Sequence, residues 1–94
     1  MEKLSRDEIT ERLAALSGWQ FEDKAISKTY VAGSFREAVA LVVQTAFLAE
    51  AADHHPDILI RYDKVTVLLS THSAGGVTEK DFVLAGRIDG AFEG

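Results

Sequence analysis

The sequence predicts an α+β domain in the order αββαββα, with a four-stranded antiparallel sheet and three helices packed on one face. Three observations carry this expectation. Three hydroxyl residues are each followed three positions later by a carboxylate, Ser5/Glu8, Ser34/Glu37 and Thr78/Asp81. Such pairs accept the unpaired N–H groups of a first helical turn, so they mark three helix starts. Between them lie two pairs of short β-prone runs, each pair broken by a polar turn, which read as two hairpins. Finally, 94 residues with 27% charged and 47% hydrophobic side chains suit one compact core and exclude a disordered chain, so residues 1–94 are expected to form a single domain.

The first helix carries Ile9, Leu13 and Leu16 on one stripe, and Gly18 is placed to end it. Trp19 and Phe21 alternate with Gln20 and Glu22, and Asp23-Lys24 then turns the chain into a strand from Ala25 to Val31. The second helix is expected from about Phe35 to His54, because Pro56 pushes His55 out of the helical region. Its core stripe reads as Phe35, Ala38, Val39, Val42 and Ala46, yet Leu41, Val43, Phe47 and Leu48 are apolar too. A helix apolar nearly all round in so small a domain is either central or shared with another subunit. The second hairpin joins Ile58–Tyr62 to Val65–Thr71 through a turn at Asp63-Lys64, Ser73 to Gly76 form a loop, and the third helix follows from about Glu79 through Ile88. One face of the sheet is left solvated or free for contact.

Ten Lys and Arg against fifteen Asp and Glu give 10 − 15 = −5, and no basic run interrupts the chain. Autonomous nucleic-acid binding, which depends on a cationic footprint, is therefore disfavoured. The chain has no cysteine, hence no disulfide and no thiol nucleophile, which fits a reducing compartment. The start lacks a signal-peptide pattern and the longest apolar run, Ala38 to Val43, is far short of a membrane span, so a cytoplasmic location without membrane contact is expected.

All three histidines, His54, His55 and His72, fall at the ends of predicted elements. Histidine gives and takes protons near neutrality, so three in one cleft suit acid/base chemistry; the plainer reading is capping of helix ends. A zinc site is disfavoured, because adjacent histidines diverge whereas ligand pairs prefer i, i+4 on helices or i, i+2 on strands.

The spacing around them is distinctive: Glu50, three residues, His54-His55-Pro56, five residues, Tyr62, nine residues, His72, eight residues, Asp81. This pattern resembles the signature of the pterin-4a-carbinolamine dehydratases, pterin-recycling proteins that in animals also act as dimerisation cofactors of a homeodomain transcription factor. Gly18-Trp19, Ser70-Thr71-His72 and Thr78 to Asp81 extend the resemblance over nearly the whole chain. It implies dehydration of a 4a-hydroxytetrahydropterin to quinonoid dihydropterin, in tetrahydrobiopterin recycling, without metal or cofactor. By the same resemblance His54 and His72 transfer protons and His55 holds the ring, while Asp53, Ser70, Thr71 and Ser73 line the pocket. Ser73 departs from the animal members, which carry a glutamate there. Glu50, Pro56, Tyr62 and Asp81 belong to the motif with plainer structural explanations: Pro56 shapes a turn, Tyr62 packs in the core, and Asp81 partners Thr78 in a capping box. The expected partners are the pterin, a second copy of the chain in a homodimer or dimer of dimers, and a functional link to an aromatic amino-acid hydroxylase. The competing function class is a protein-binding module, motivated by the breadth of the second helix.

Overall fold

The computed structural model describes residues 2–93 and gives the predicted order of elements. Helix α1 is Arg6–Leu13, strands β1 and β2 are Gln20–Glu22 and Ala25–Val31, and helix α2 is Phe35–Ala52. Strands β3 and β4 are Asp57–Arg61 and Lys64–Leu69; a single 3₁₀ turn, His72–Ala74, precedes helix α3, Glu79–Glu93. The four strands form one antiparallel sheet in the order β1-β2-β4-β3. Strands β2 and β4 are its central pair, with Ile26 opposite Leu69 and Val31 opposite Lys64.

Capping chemistry sets where the helices start. At α1 the Glu8 N–H donates to Ser5 Oγ (3.1 Å) and the Ser5 N–H to Glu8 Oε1 (2.9 Å), a complete box. At α2 the Ser34 hydroxyl accepts from the Glu37 N–H at 3.1 Å. Two ends differ from expectation. Helix α1 stops at Leu13, and tighter bonds from Ala15 to Arg12 and from Leu16 to Leu13 wind the chain toward Gly18, whose φ of +84° completes the reversal. Helix α3 runs past Ile88 to Glu93, because Asp89 and Phe92 in its last turns are anchored to the sheet: Asp89 accepts from Trp19, Lys28 and Tyr30, and Phe92 stacks on Tyr30 with ring centroids 3.9 Å apart.

Both hairpins turn through left-handed residues. Asp23 and Lys24, at φ +52° and +66°, form the two-residue turn whose twist matches that of the strands. The second turn is Tyr62-Asp63, one residue earlier than expected, since Arg61 pairs with Lys64 and β4 begins there. Tyr62 therefore does not pack in the core. It sits at φ +58° in the turn and is 71% exposed.

The buried faces of β2 (Ile26, Tyr30) and β4 (Val65, Val67, Leu69) meet Ala38 and Ala49 of α2, Phe82, Leu84, Ala85 and Ile88 of α3, and Ile9 of α1. The α2 stripe also needs correction. Its inward positions are Ala38, Val42, Thr45, Ala49 and Ala52, whereas Phe35, Val39 and Ala46 are exposed. Alanine and threonine let α2 lie close to the sheet and to α3, and the Thr45 hydroxyl is satisfied by the Leu41 carbonyl at 2.9 Å. Phe35, Val39, Val43 and Phe47 point outward, while Val42 and Leu48 pack against the core. Among the described residues no helix is long and apolar enough to cross a membrane.

Candidate active site

The site begins where α2 ends. Asp53 adopts a left-handed conformation (φ +49°, ψ +45°), and the His54 N–H returns to the Ala49 carbonyl at 3.0 Å. This Schellman turn satisfies carbonyls that the helix end would otherwise leave unpaired. Glycine is the usual occupant of such a position; aspartate is one of the few other residues that tolerate it. The two side chains that follow the turn, ahead of β3, go to different surroundings. His54 is buried and His55 is exposed.

His54 Nε2 lies 2.5 Å from Asp81 Oδ1, across the interval between the end of α2 and the first turn of α3. Asp81 is fully buried. Its other oxygen accepts from Thr71 Oγ1 and from the Thr78 N–H, both at 2.9 Å, and the two threonine hydroxyls are 2.8 Å apart. The capping box expected at Thr78 is thus half present: Asp81 reaches back to the Thr78 N–H, while the Thr78 hydroxyl accepts from the Lys80 N–H at 3.2 Å. The rest of the Asp81 carboxylate is given to the site.

After β4 the side chains alternate. Thr71 points inward to Asp81, while Ser70 and His72 line a cavity of about 210 Å³ together with His55, Asp57, Asp23, Ala25 and Leu68. His55 and His72, brought together from the two crossings of the sheet end, share this cavity. His55 Nε2 is also 3.0 Å from Glu50 Oε1, one helical turn back on α2, in a solvent-exposed pair that orients the ring. His54 lines a separate hollow of about 240 Å³ with Ala52, Lys80, Val83, Leu84 and Arg87. Larger hollows exist, one of about 500 Å³ beside Tyr30 and Phe92 and one of about 770 Å³ beside Arg61 and Tyr62, but neither contains a histidine.

Of the residues anticipated from the sequence, the cavity lining therefore includes His55, His72 and Ser70 and not His54, which stands one residue behind it. Asp53 makes the turn and is exposed; Ser73 is exposed on the 3₁₀ turn; Pro56 is half-buried between His55 and β3. Tyr62 lies at the far end of β3, about 16 Å along the strand from Asp57 at ~3.3 Å per residue. Asp23, Ala25, Asp57 and Leu68 were not anticipated, and only the strand register, which sets Asp57 opposite Leu68, places them here. Among the described residues no cluster of three or more His, Cys, Asp or Glu is arranged to hold a metal ion.

A small α+β domain with a helix-backed antiparallel sheet and a histidine-lined cavity at one sheet end defines the class. The chain belongs to the pterin 4 alpha carbinolamine dehydratase family, which it matches over residues 2–91. It is 58% identical over 87 residues to a provisionally named pterin-4-alpha-carbinolamine dehydratase of Roseiflexus sp. (strain RS-1), covering 93% of this chain and 94% of that one. A similarly named protein of Sulfolobus acidocaldarius is 45% identical over 87 residues, covering 93% of this chain and 96% of that one. Among solved structures, a transcriptional coactivator/pterin dehydratase from Brucella melitensis superposes with a TM-score of 0.92 at 38% identity, over 97% of this chain and 99% of that one. A pterin dehydratase-like protein described as a RuBisCO assembly factor in the alpha-carboxysome shares the fold, with a TM-score of 0.64 at 24% identity over 78% of this chain and 84% of that one.

Proposed function

We propose that this protein dehydrates 4a-hydroxytetrahydropterins to quinonoid dihydropterin by histidine acid/base catalysis, in the recycling of a tetrahydropterin cofactor. The observation that carries the reading is the convergence of His55 and His72 on one cavity, with His54 beside them on a buried carboxylate. The reaction breaks the C4a–O bond. The departing hydroxyl takes up a proton and leaves as water, and a ring nitrogen gives one up. Two imidazoles in opposite protonation states supply and accept those protons at neutral pH. In this reading the bicyclic ring occupies the cavity that His55 and His72 share, and His54, on the neighbouring residue at a Cα spacing of about 3.8 Å, approaches it from its own side of the turn. In this reading His54 and His72 carry protons, His55 holds the ring, and Ser70 contributes a hydroxyl to the lining. Asp53, Thr71 and Ser73 shape the surrounding turns.

The test is the absorbance change that follows addition of enzymatically generated carbinolamine. The wild type is expected to outpace buffer. His54→Ala and His72→Ala are each expected to lower kcat by about 10²–10⁴-fold, and His55→Ala to raise KM more than it lowers kcat. A wild type no faster than buffer, or single variants of His54 and His72 that both keep more than about a third of kcat, overturns the proposal. The second reading, a protein-binding module, is favoured by one observation: Phe35, Val39, Val43 and Phe47 form an exposed apolar stripe on α2. Dehydration at the buffer rate would move that reading ahead.

A further inference from the structure

We infer that Asp81 is a positioning residue that holds His54 with its proton on Nε2, leaving Nδ1 as the nitrogen that exchanges protons with the substrate. The inference rests on the dehydratase reading and deepens it.

The hydrogen-bond directions around Asp81 can be traced from one end. The Lys80 N–H donates to Thr78 Oγ1, and Thr71 Oγ1 donates its single proton to Asp81 Oδ2. The bond between the two threonine hydroxyls is then donated by Thr78. The Thr78 N–H is a second donor to the same carboxylate oxygen. Oδ2 thereby accepts from two donors. Asp81 is fully buried, and among the described residues no lysine or arginine pairs with it. Its remaining oxygen faces His54 Nε2. A carboxylate only accepts, so Nε2 carries the hydrogen.

The other ring nitrogen is left free. His54 Nδ1 has no hydrogen-bond partner among the described residues, and none of their fully buried side-chain nitrogens or oxygens is unpartnered. Nδ1 is consequently the nitrogen through which this buried residue meets solvent. The same carboxylate holds Thr71, the residue before His72. One buried group therefore registers two chain segments, the turn after α2 and the turn after β4, on which the two proposed proton carriers sit. Its capping of α3 ties both to a helix start. A buried acceptor behind an imidazole fixes tautomer and orientation together; loss of such a partner costs about 10–100-fold behind a metal-bound histidine and about 10⁴-fold behind the proton-transferring histidine of a serine protease.

Asp81→Asn separates positioning from capping. The carboxamide oxygen keeps the Thr78 N–H bond, while its NH₂ group faces His54 and demands an acceptor there. The experiment combines ¹⁵N NMR of the histidine side chains, thermal unfolding, and kcat and KM for carbinolamine dehydration. In the wild type, Nε2 of His54 is expected to be protonated. In Asp81→Asn the proton moves to Nδ1 and kcat falls by about 10-fold or more, up to about 10⁴-fold, with KM changed much less. If Asp81 only caps α3, asparagine leaves both tautomer and kcat as in the wild type, and that result overturns the inference. Should Asp81→Asn not fold, the wild-type spectrum decides: a hydrogen on Nδ1 with Nε2 bare overturns it, and a hydrogen on Nε2 upholds it. A wild type that does not outpace buffer overturns the dehydratase reading and takes the inference with it. Turnover with an unmoved tautomer overturns the inference alone.

Discussion

Asp89 gathers more of the molecule than any other surface-facing carboxylate described above. Both of its oxygens lie 3.1 Å from Trp19 Nε1, and Oδ1 also receives Lys28 Nζ at 2.9 Å and the Tyr30 hydroxyl at 2.5 Å. Burial is the main reason that the Tyr30 phenol is held well above its usual range; the hydrogen bond to Asp89 and the negative charges of Asp89 and Glu93 push in the same direction. The sign of the resulting pH dependence follows. The folded state keeps a proton that the unfolded chain releases near pH ~10, so the stabilisation is complete below that pH and is lost progressively as the pH rises above it. Tyr30→Phe is expected to cost about 1 kcal/mol at pH 7 and to flatten the alkaline fall. Urea unfolding of both proteins at pH 8 and near pH 11 checks this; parallel losses would show that Tyr30 is not the group responsible.

At the scale of elements, Ser34 closes the start of α2, the helix whose far end delivers His54 and His55. Ser34→Ala leaves the Glu37 N–H without its acceptor, and is expected to cost about 1 kcal/mol while sparing kcat, a pairing that denaturation and turnover measured side by side would check. The caps were legible in the sequence because they are local: Ser5/Glu8 and Ser34/Glu37 act within one turn. The inward face of α2 was not. Apolar residues surround that helix, so periodicity could not choose between the Phe35/Val39 side and the Ala38/Thr45/Ala49 side; the close approach of the sheet and α3 decides for the small residues. The length of α3 was hidden for a similar reason, since its last turns depend on Tyr30, sixty residues earlier. In the site, the His-His-Pro run and His72 were visible as residues. That neighbouring histidines part to different surroundings, and that Asp81 serves His54 as well as Thr78, depend on a left-handed turn and a tertiary contact that no local spacing encodes.

For the molecule as a whole, the exposed stripe of α2 and the unpaired edges of β1 and β3 bear on assembly. Phe47 is 73% exposed and Phe35, Val43 and Val39 flank it along the helix. Burying a side chain of this size is worth about 1.5–3 kcal/mol, enough over several residues and two copies to sustain a dimer. A homodimer or dimer of dimers is expected, and Phe47→Lys is expected to dissociate or weaken it without unfolding the domain. Light scattering checks both; a wild type that scatters as a 10.3 kDa particle at micromolar concentration would remove the stripe's assigned role. The turn at Asp53 has a different kind of consequence, one for how the chain tolerates changes in length. His54 and His55 are the two residues between Asp53 and Pro56; the first place after the turn meets Asp81 and the second lines the cavity with His72, so removing either residue leaves one histidine for two places. This junction has a phase, and only substitutions that preserve its residue count preserve the division of labour between the two imidazoles.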